Sequence, residues 1–246
     1  MKPAPAADRP LALVTGASRG LGATIARLLA ADAYDLVVVA RASAPLAALA
    51  GELRSHGGLV VEIAGDVSEP EVRRAIVAAV ERRGRLDLLV NNASELGPSP
   101  LRPSTQWSLD ALERVLRVNV VAPLALIQLL EPYLARREGL VVNISSDAAI
   151  GAYPGWGGYG ASKAALDLLS RTLAAELRDR SVAVVAVDPG DMRTQMHQAA
   201  YPGEDISDRP LPDATLPFWA WLLGQPHAEI SGQRFRAQSD HWGTPP

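Results

Sequence analysis

The sequence predicts an α/β fold, namely a doubly wound sheet of about seven parallel strands with helices on both faces. Short β-branched runs alternate with longer helical patterns along the chain, and this alternation implies parallel strands joined by right-handed crossovers. Most of the short runs are continuously apolar, which is typical of strands covered on both faces. The 246 residues are 48% apolar, enough for one large domain with a substantial core.

The predicted elements follow one another in a regular order. The first strand, residues 11–15, ends in a glycine-rich turn, and the first helix opens directly after this turn. Helical patterns also lie between the later apolar runs. The predicted strands are 11–15, 36–41, 59–64, 86–91, 140–145, 182–188 and 233–236. The predicted helices lie near 21–31, 45–56, 69–83, 108–137, 157–179 and 214–223.

No internal stretch resembles a domain linker, so residues 11–246 are predicted to form a single domain. Residues 1–10 are rich in alanine and proline and lack the long apolar stretch of a signal peptide, so we expect a flexible N-terminal tail. Residues 191–212 form a long stretch rich in proline, glycine and aspartate. A loop of this length in a compact domain is often a lid over a site, and a mobile surface loop is the alternative.

Composition excludes several classes of function. The net charge is −3 with the charges scattered, so no nucleic acid or membrane surface is indicated as a partner. The absence of cysteine excludes thiolate nucleophiles and cysteine-ligated metals, and it fits a cytoplasmic location, which we expect. The four histidines are widely spaced, so we expect no metal site. No run approaches the ~20 apolar residues of a membrane span.

A glycine-rich turn, Thr15–Gly22, links the first predicted strand to the first helix. Glycines allow a tight turn and a close approach to a pyrophosphate, and the helix N-terminus offers free N–H groups and the positive end of its dipole. The spacing is G-x-x-x-G-x-G rather than the commoner G-x-G-x-x-G, and a purely structural turn is the alternative. The candidate cofactor contacts are Gly16, Ser18, Arg19, Gly20, Leu21 and Gly22.

The end of the second strand indicates which nicotinamide cofactor is preferred. An NAD site usually has an acidic residue there to hold the ribose 2′-hydroxyl. This chain instead has Ala40 followed by Arg41, whose guanidinium can pair with the 2′-phosphate of NADP(H). Arg19 is a possible second positive contact. Asp66 and Val67, after the third strand, are placed to meet the adenine edge.

Tyr159 and Lys163 are four residues apart on a predicted helix and therefore share one face. The cation is expected to lower the pKa of the phenol from ~10 toward working pH, which makes Tyr159 a candidate general acid or base. The pattern Y-x-x-x-K alone is weak, because it occurs by chance in many helices. Here Ser146 precedes the tyrosine by thirteen positions, and the glycine turn opens the chain.

These motifs together resemble the short-chain dehydrogenase/reductase family in its single-domain form. The resemblance extends from Leu11 to about Arg236 and implies a Rossmann-type sheet. The motifs occur in the family's order: the turn at 15–22, Asp66, Asn91-Asn92-Ala93, Asn119, Ser146, Tyr159, Lys163, and Pro189-Gly190 followed by Thr194.

The resemblance also implies roles for these residues. Tyr159 exchanges a proton with the substrate oxygen, and Ser146 hydrogen-bonds the same oxygen. Lys163 holds the nicotinamide ribose, and Thr194, after Pro189 and Gly190, contacts the carboxamide. Asn91 supports the central sheet, and its neighbours Asn92 and Ala93 line the cofactor turn.

Asn119 is assigned to the catalytic group for a further reason. Pro123, four residues later, has no N–H, so the carbonyl of Asn119 loses its helical partner and must find another donor. Family precedent places there a water that leads from Lys163 to solvent. A helix that is merely kinked by Pro123 is the alternative, and both can hold.

The chain departs from the family pattern at two places. Ser94 stands where the family often has glycine, and we expect little effect from this small residue. The segment 231–236 lacks the Asp-Gly-Gly ending that is common among acyl-carrier ketoreductases, which puts a role in fatty-acid synthesis in doubt.

The residues between Ser146 and Tyr159 are predicted to line the substrate end of the site, because both ends of this segment do. The segment between Ser146 and Tyr159 carries Asp147, Tyr153 and Trp156, and Glu95 follows the fourth strand at the same sheet edge. Trp156 fits either an apolar pocket wall or a subunit contact.

The function predicted is that of an NADPH-dependent carbonyl reductase, reversible as an alcohol dehydrogenase, acting on a small ketone or secondary alcohol. A non-catalytic NADP(H)-binding redox sensor is the alternative, although it need not keep Ser146, Tyr159 and Lys163 together. A nucleotide-sugar epimerase normally needs more residues after Pro189. Apolar surface on helices 108–137 and 157–179 predicts a homodimer or homotetramer.

Overall fold

Seven parallel strands form one sheet in the computed structural model, which describes residues 9–243. The strands run in the order β3-β2-β1-β4-β5-β6-β7, and every neighbouring pair is parallel. The predicted α/β fold class is therefore confirmed. The strands are β1 (Leu11–Thr15), β2 (Asp35–Ala40), β3 (Val60–Ala64), β4 (Leu88–Asn91), β5 (Leu140–Ile144), β6 (Ala183–Asp188) and β7 (Arg234–Arg236).

The direction of strand order reverses between β1 and β4. Ligands of open α/β sheets bind at such a switch point, in the crevice outside the carboxyl ends of the strands. The glycine turn after β1 and Asn92 after β4 both lie there.

Helices cover both faces of the sheet. They are α1 (Gly20–Ala31), α2 (Ser43–Arg54), α3 (Pro70–Glu81), α4 (Leu109–Leu116), α5 (Ala122–Ala135), α6 (Gly157–Glu176), α7 (Gln195–Ala200), α8 (Leu216–Leu223) and α9 (His227–Ile230). Alternate residues of β1 enter opposite cores: Ala12 and Val14 pack with α1, α2 and α8, whereas Leu11 and Leu13 pack with α3 and α5. This arrangement explains why the buried strands have continuous apolar runs.

The helix predicted over 108–137 is divided by a π-helical turn, Arg117–Val121. The N–H of Ala122 bonds to the carbonyl of Arg117, five residues back, which widens the helix directly before Pro123. Proline cannot supply the regular bond, so the widened turn is the local adjustment to Pro123. Asn119 lies inside this turn and is fully buried.

Residues Leu109–Ala135 together form a helical stretch of 27 residues with a mean hydropathy of 1.5 in its most apolar window. This stretch is long and apolar enough on average to meet a membrane-span criterion, although it contains no uninterrupted run of ~20 apolar residues. However, 44% of that window is buried inside the protein, where α5 packs against α3 and α4 against α6. Core helices meet the same criterion, so this is weak evidence for a membrane span.

Two predicted boundary regions contain more structure than expected. Residues 191–212 contain helix α7, so the predicted irregular stretch is wrong for residues 195–200. In the predicted tail, Arg9 is buried and the carbonyl of Pro10 accepts a hydrogen bond from the N–H of Asp35 at 2.8 Å. Residues 1–8 of that tail lie outside the described residues.

Candidate active site

The glycine turn is braced by the residues that follow β4. The Thr15 hydroxyl accepts hydrogen bonds from the N–H groups of Asn92 and Ala93, each at 3.0 Å. In return, the Asn92 amide donates to the carbonyls of Thr15 and Gly16 at 2.9 and 3.1 Å. Asn92 therefore fixes the shape of the turn, a structural role that its predicted place beside a cofactor did not include.

Glycine is required in this turn for two separate reasons. Gly16 and Gly20 have φ angles of +66° and +54°, a region that other residues rarely adopt. Gly22 is required for space, because a Cβ there would lie 2.4 Å from the carbonyl oxygen of Gly16. Helix α1 begins with no side-chain cap, so its first N–H groups remain available to an anion.

A cleft of about 990 Å³ runs along the carboxyl edge of the sheet from the end of β2 to α7. Its size, the tight turn and the uncapped helix N-terminus fit a dinucleotide. The predicted site residues that line it are Gly16, Ser18, Arg19, Gly20, Leu21, Arg41, Asp66, Val67, Asn92, Ala93, Ser146, Asp147, Tyr153, Trp156, Tyr159, Lys163, Pro189, Gly190 and Thr194. Gly22, Asn119 and Glu95 lie outside the lining.

Glu95 is not at the substrate end of the cleft, contrary to the prediction. Its carboxylate lies 3.1 Å from Nη1 of Arg41 and 3.7 Å from Nε of Arg114. Arg114 in turn pairs with Asp66 at 2.9 Å. These ion pairs connect Asp66, the predicted adenine contact, with Arg41, the predicted 2′-phosphate contact. Because Arg41 is already paired with Glu95, a phosphate must replace that carboxylate.

Asp66 is held in its charged form. Burial alone raises its pKa, but hydrogen bonds from Ser68 and Arg114 outweigh burial and leave the pKa below its ordinary value. Both the N–H and the hydroxyl of Ser68 donate to the same carboxylate oxygen. Arg19, at the other side of the cleft, hydrogen-bonds with Gln195 of α7.

Tyr159, Ser146 and Lys163 lie close together at the end of β5. Tyr159 is only 7% exposed, and the hydroxyls of Ser146 and Ser94 interact with its hydroxyl. Lys163 is 2% exposed, and its Nζ donates to the carbonyl of Ile144 at 2.7 Å. The ammonium lies 5.5 Å from the centroid of the Tyr159 ring.

The predicted lowering of the Tyr159 pKa by Lys163 is wrong for this state of the protein. Burial raises the pKa of Tyr159 to about 12, although the hydrogen bonds from Ser146 and Ser94 act in the opposite direction. Burial also lowers the pKa of Lys163 to about 8 against the attraction of Asp167. Desolvation penalises both charged forms, so the phenol keeps its proton at neutral pH.

Ser94 is a site residue that sequence reasoning missed. Its hydroxyl contacts that of Tyr159 and also donates to the side-chain oxygen of Asn119 at 3.2 Å. Glycine at this position has no hydroxyl, so both contacts depend on the serine, which the expectation of little effect did not take into account. The sequence did indicate this position, because serine replaces the glycine of the family pattern shortly after the end of β4.

Asn119 acts through its side chain as a clamp. Its amide nitrogen donates to the carbonyl of Glu95 and to the hydroxyl of Ser162, both at 2.9 Å. Its oxygen accepts the N–H of Glu95 at 2.7 Å. Asn119 thus joins the π-helical turn to the segment after β4 and to α6, which carries Tyr159 and Lys163.

The Ser146 hydroxyl has a second acceptor beside Tyr159. It lies 3.0 Å from Oδ1 of Asp147 and accepts the N–H of Ala148 at 3.1 Å. Asp147 also accepts from the hydroxyl of Tyr153, which raises the pKa of Tyr153. Because a hydroxyl carries one proton, Ser146 can donate to only one acceptor at a time.

Aromatic rings form the wall of the cleft beside Tyr159. Trp156 meets Tyr159 edge-on, with centroids 5.5 Å apart, and Tyr201 at 6.2 Å. Tyr201 in turn lies 5.1 Å from the ring of His197. Trp156 is therefore placed as a pocket wall. Tyr201 and His197 were not predicted, because they lie within residues 191–212, a segment whose path the sequence does not reveal.

The segment predicted as a lid borders the cleft. Thr194 caps α7 by accepting the N–H of His197 at 3.2 Å, and it faces Gly20 across the cleft. Asp191 lies 3.7 Å from Arg209 and 3.8 Å from His197, so it links both parts of the segment. Among residues 9–243, no group of three histidine or carboxylate side chains is placed to hold a metal ion.

Comparisons with known proteins agree with this geometry. A family model described as short chain dehydrogenase matches residues 10–205. An uncharacterized oxidoreductase of Saccharomyces cerevisiae is 37% identical over 187 residues, which are 75% of this chain and 71% of the relative. L-xylo-3-hexulose reductase of Hypocrea jecorina is 34% identical over an alignment 224 residues long, which covers 83% of this chain and 73% of that protein.

Solved structures are similar over almost the whole chain. A short chain dehydrogenase from Salmonella enterica has a TM-score of 0.87 at 29% identity, with 94% of this chain and 96% of that chain covered. An Escherichia coli structure complexed with NADPH has a TM-score of 0.86 at 30% identity, with 94% and 97% covered. NAD⁺-bound xylitol dehydrogenase, at 22% identity and a TM-score of 0.80 over 92% and 96%, shows the fold alone.

The contrast between two glycines tests the packing of the turn. Gly22→Ala places a methyl group against the Gly16 carbonyl, so we expect a loss of about 1–3 kcal/mol in unfolding free energy. Gly51→Ala, in α2 with no atom within 4 Å of the added Cβ, should instead stabilise by about 0.5–1 kcal/mol. Thermal unfolding of both variants measures the difference, and equal midpoints contradict the crowding of Gly22.

Proposed function

Because the chain belongs to the short-chain dehydrogenase/reductase family, whose members are oxidoreductases that use a nicotinamide cofactor, we propose that it is an NADPH-dependent carbonyl reductase. The same enzyme works in reverse as an alcohol dehydrogenase. Its substrate class is a small ketone or secondary alcohol. The observation that carries the proposal is the buried phenol of Tyr159, which is hydrogen-bonded by Ser146 and lies in a cleft that fits a dinucleotide.

A nicotinamide cofactor held in this cleft would supply the hydride for the carbonyl carbon. Tyr159 donates its proton to the carbonyl oxygen, and a pKa of about 12 keeps that proton available at neutral pH. Ser146 donates a hydrogen bond to the same oxygen and so orients the substrate. Lys163 would hold the nicotinamide ribose, and its bond to the Ile144 carbonyl fixes its position on α6.

The preference for NADPH rests on the charges at the end of β2. Arg41 lines the cleft where an NAD site usually has an acidic residue, and Arg19 lines it from the glycine turn. A 2′-phosphate pairs with a guanidinium more strongly than the exposed carboxylate of a surface ion pair does, so we expect it to replace Glu95.

A panel of ketones with NADPH, followed by absorbance of the reduced nicotinamide, tests the proposed activity. Oxidation of NADPH in the presence of a ketone supports the carbonyl reductase. Tight binding of NADPH with no turnover on any ketone or alcohol supports the redox sensor instead. Failure to bind either NADPH or NADH overturns both.

Substitution of the catalytic tyrosine separates chemistry from binding. Tyr159→Phe keeps the ring but removes the proton, so we expect kcat to fall by about 10²–10⁴-fold with little change in NADPH affinity. Tyr133→Phe, on α5 outside the cleft, is the matched control and should keep the original rate. Retention of most activity in Tyr159→Phe would rule out Tyr159 as the proton donor.

The charge at residue 41 tests cofactor choice. In Arg41→Asp the attraction for the 2′-phosphate becomes repulsion, so we expect NADPH affinity to fall roughly 10–100-fold and NADH affinity to change much less. Arg74→Asp, on the exposed surface of α3, makes the same charge change away from the cleft. Competitive titration measures both, and equal affinity of the unmodified protein for the two cofactors contradicts the preference.

Assembly into a dimer or tetramer is also proposed, from the apolar surface of α5 and α6. Leu168 is 59% exposed, Leu129 45% and Val121 53%, so the sheet does not cover these stripes in the single chain. Pairing of the two helices with their copies would bury them and brace the helix that carries Tyr159.

Light scattering at micromolar concentration decides the assembly. We expect a mass of two or four times the 26.0 kDa of one chain. Leu168→Asp should reduce the mass, whereas Leu59→Asp, at an exposed leucine before β3, should not. A mass of one chain for the unmodified protein rules the assembly out.

A further inference from the structure

Arg234, on the last strand β7, connects three other parts of the active site. Its Nε donates to Oδ2 of Asp167 on α6 at 2.9 Å. Its Nη2 donates to the main-chain carbonyl of Ser146 at 2.8 Å and approaches Oδ2 of Asp188, at the end of β6, at 3.3 Å. The guanidinium thus reaches the residues around the catalytic group without itself lining the cleft.

Each of these contacts borders a group that the reaction needs. The Ser146 carbonyl belongs to the residue whose hydroxyl meets the substrate oxygen. Asp188 uses its other oxygen to accept the N–H of Gly190 at 3.0 Å, which sets the turn at the nicotinamide side of the cleft. Asp167 lies one helical turn beyond Lys163 on α6, and the two side chains share a face.

The carboxylates around Arg234 also act on the catalytic pair electrostatically. Asp188 and Asp147 raise the pKa of Tyr159, and Asp167 raises the pKa of Lys163. Asp167 and Asp188 are almost wholly buried, and Oδ1 of Asp167 has no hydrogen-bond partner. Arg234 is the cation that both carboxylates contact, so it limits the negative field at Tyr159 and Lys163.

We propose that Arg234 is a positioning residue of this active site, which fixes the main chain of Ser146 and screens Lys163 and Tyr159 from Asp167 and Asp188. The assignment rests on the proposed reductase function for its kinetic consequences. A purely structural ion pair is the competing explanation, because buried charge networks often contribute little to stability yet are costly to break. The two explanations differ in what happens to the titration of Lys163.

Three substitutions separate these explanations. Arg234→Met removes the cation and the donors, whereas Arg234→Lys keeps the charge but cannot reach all three acceptors from one ammonium. Arg236→Met, at the exposed arginine two residues along β7, is the matched control outside the cleft. We expect kcat to fall about 10–100-fold in Arg234→Met, to fall less in Arg234→Lys and to stay unchanged in Arg236→Met, with KM for the ketone altered far less than kcat.

The titration of Lys163 can be read without any turnover. The chain has only two lysines, Lys2 and Lys163, so ¹³C-lysine labelling gives two side-chain signals, and Lys2→Arg assigns them. The pKa of Lys163 is about 8 with Arg234 in place. Loss of the guanidinium leaves Asp167 to attract the ammonium unscreened, so this pKa should rise in Arg234→Met and return toward its original value in Arg234→Lys.

The outcomes are distinct. A raised Lys163 titration together with a lowered kcat in Arg234→Met supports the assignment. An unmoved Lys163 titration in folded Arg234→Met overturns it, whether or not activity is lost, because only a structural role then remains. Should Arg234→Met not fold, an unchanged kcat in Arg234→Lys overturns it and a reduced kcat supports it. An unmodified protein that turns over no ketone refutes the proposed function, while the Lys163 titration still decides the screening by Arg234.

Discussion

The last residue of β4 and the two that follow it hold the two halves of the cleft together through hydrogen bonds. On one side, Asn92 and Ala93 are tied to Thr15 and so to the glycine turn. On the other side, the Asn91 amide donates to Asn143 of β5 at 2.8 Å, and Asn143 donates to Ser170 of α6 at 2.8 Å. The bonds among Asn91, Asn143 and Ser170 are buried, so an unpaired partner there costs ~1–3 kcal/mol, and the network keeps the glycine turn and α6 in register.

Desolvation sets the protonation states of Tyr159 and Lys163. A phenol and an ammonium side by side in water would attract one another in their charged forms. In this protein both are almost wholly buried, and the loss of hydration exceeds that attraction, so Tyr159 stays neutral and Lys163 titrates near pH 8. A neutral phenol is the form that donates a proton, which is the role proposed for Tyr159.

At the opposite end of the cleft, two exposed arginines pair with two partly buried carboxylates. Arg41, Glu95, Arg114 and Asp66 form a chain of ion pairs around the predicted 2′-phosphate and adenine positions. Such pairs are worth little individually in water, so an incoming phosphate can rearrange them at small cost. Tyr159 and Lys163 are almost wholly buried, whereas Arg41 and Arg114 are exposed. We therefore expect substitutions at the first end to affect rate and substitutions at the second end to affect cofactor affinity.

The sequence by itself determined the features that depend on neighbouring residues. Buried parallel strands require continuous apolar runs, and the runs beginning at Leu11 and Leu140 therefore marked two strands correctly. The glycine turn and the Tyr159–Lys163 spacing were equally readable, because both are local. Tertiary structure alone decided the direction of Glu95, the contact of Ser94 with Tyr159 and the reach of Arg234 to Ser146, 88 residues away. It also decided the sign of the Tyr159 pKa shift, because burial depends on every element packed around the ring and no spacing within one helix contains that information.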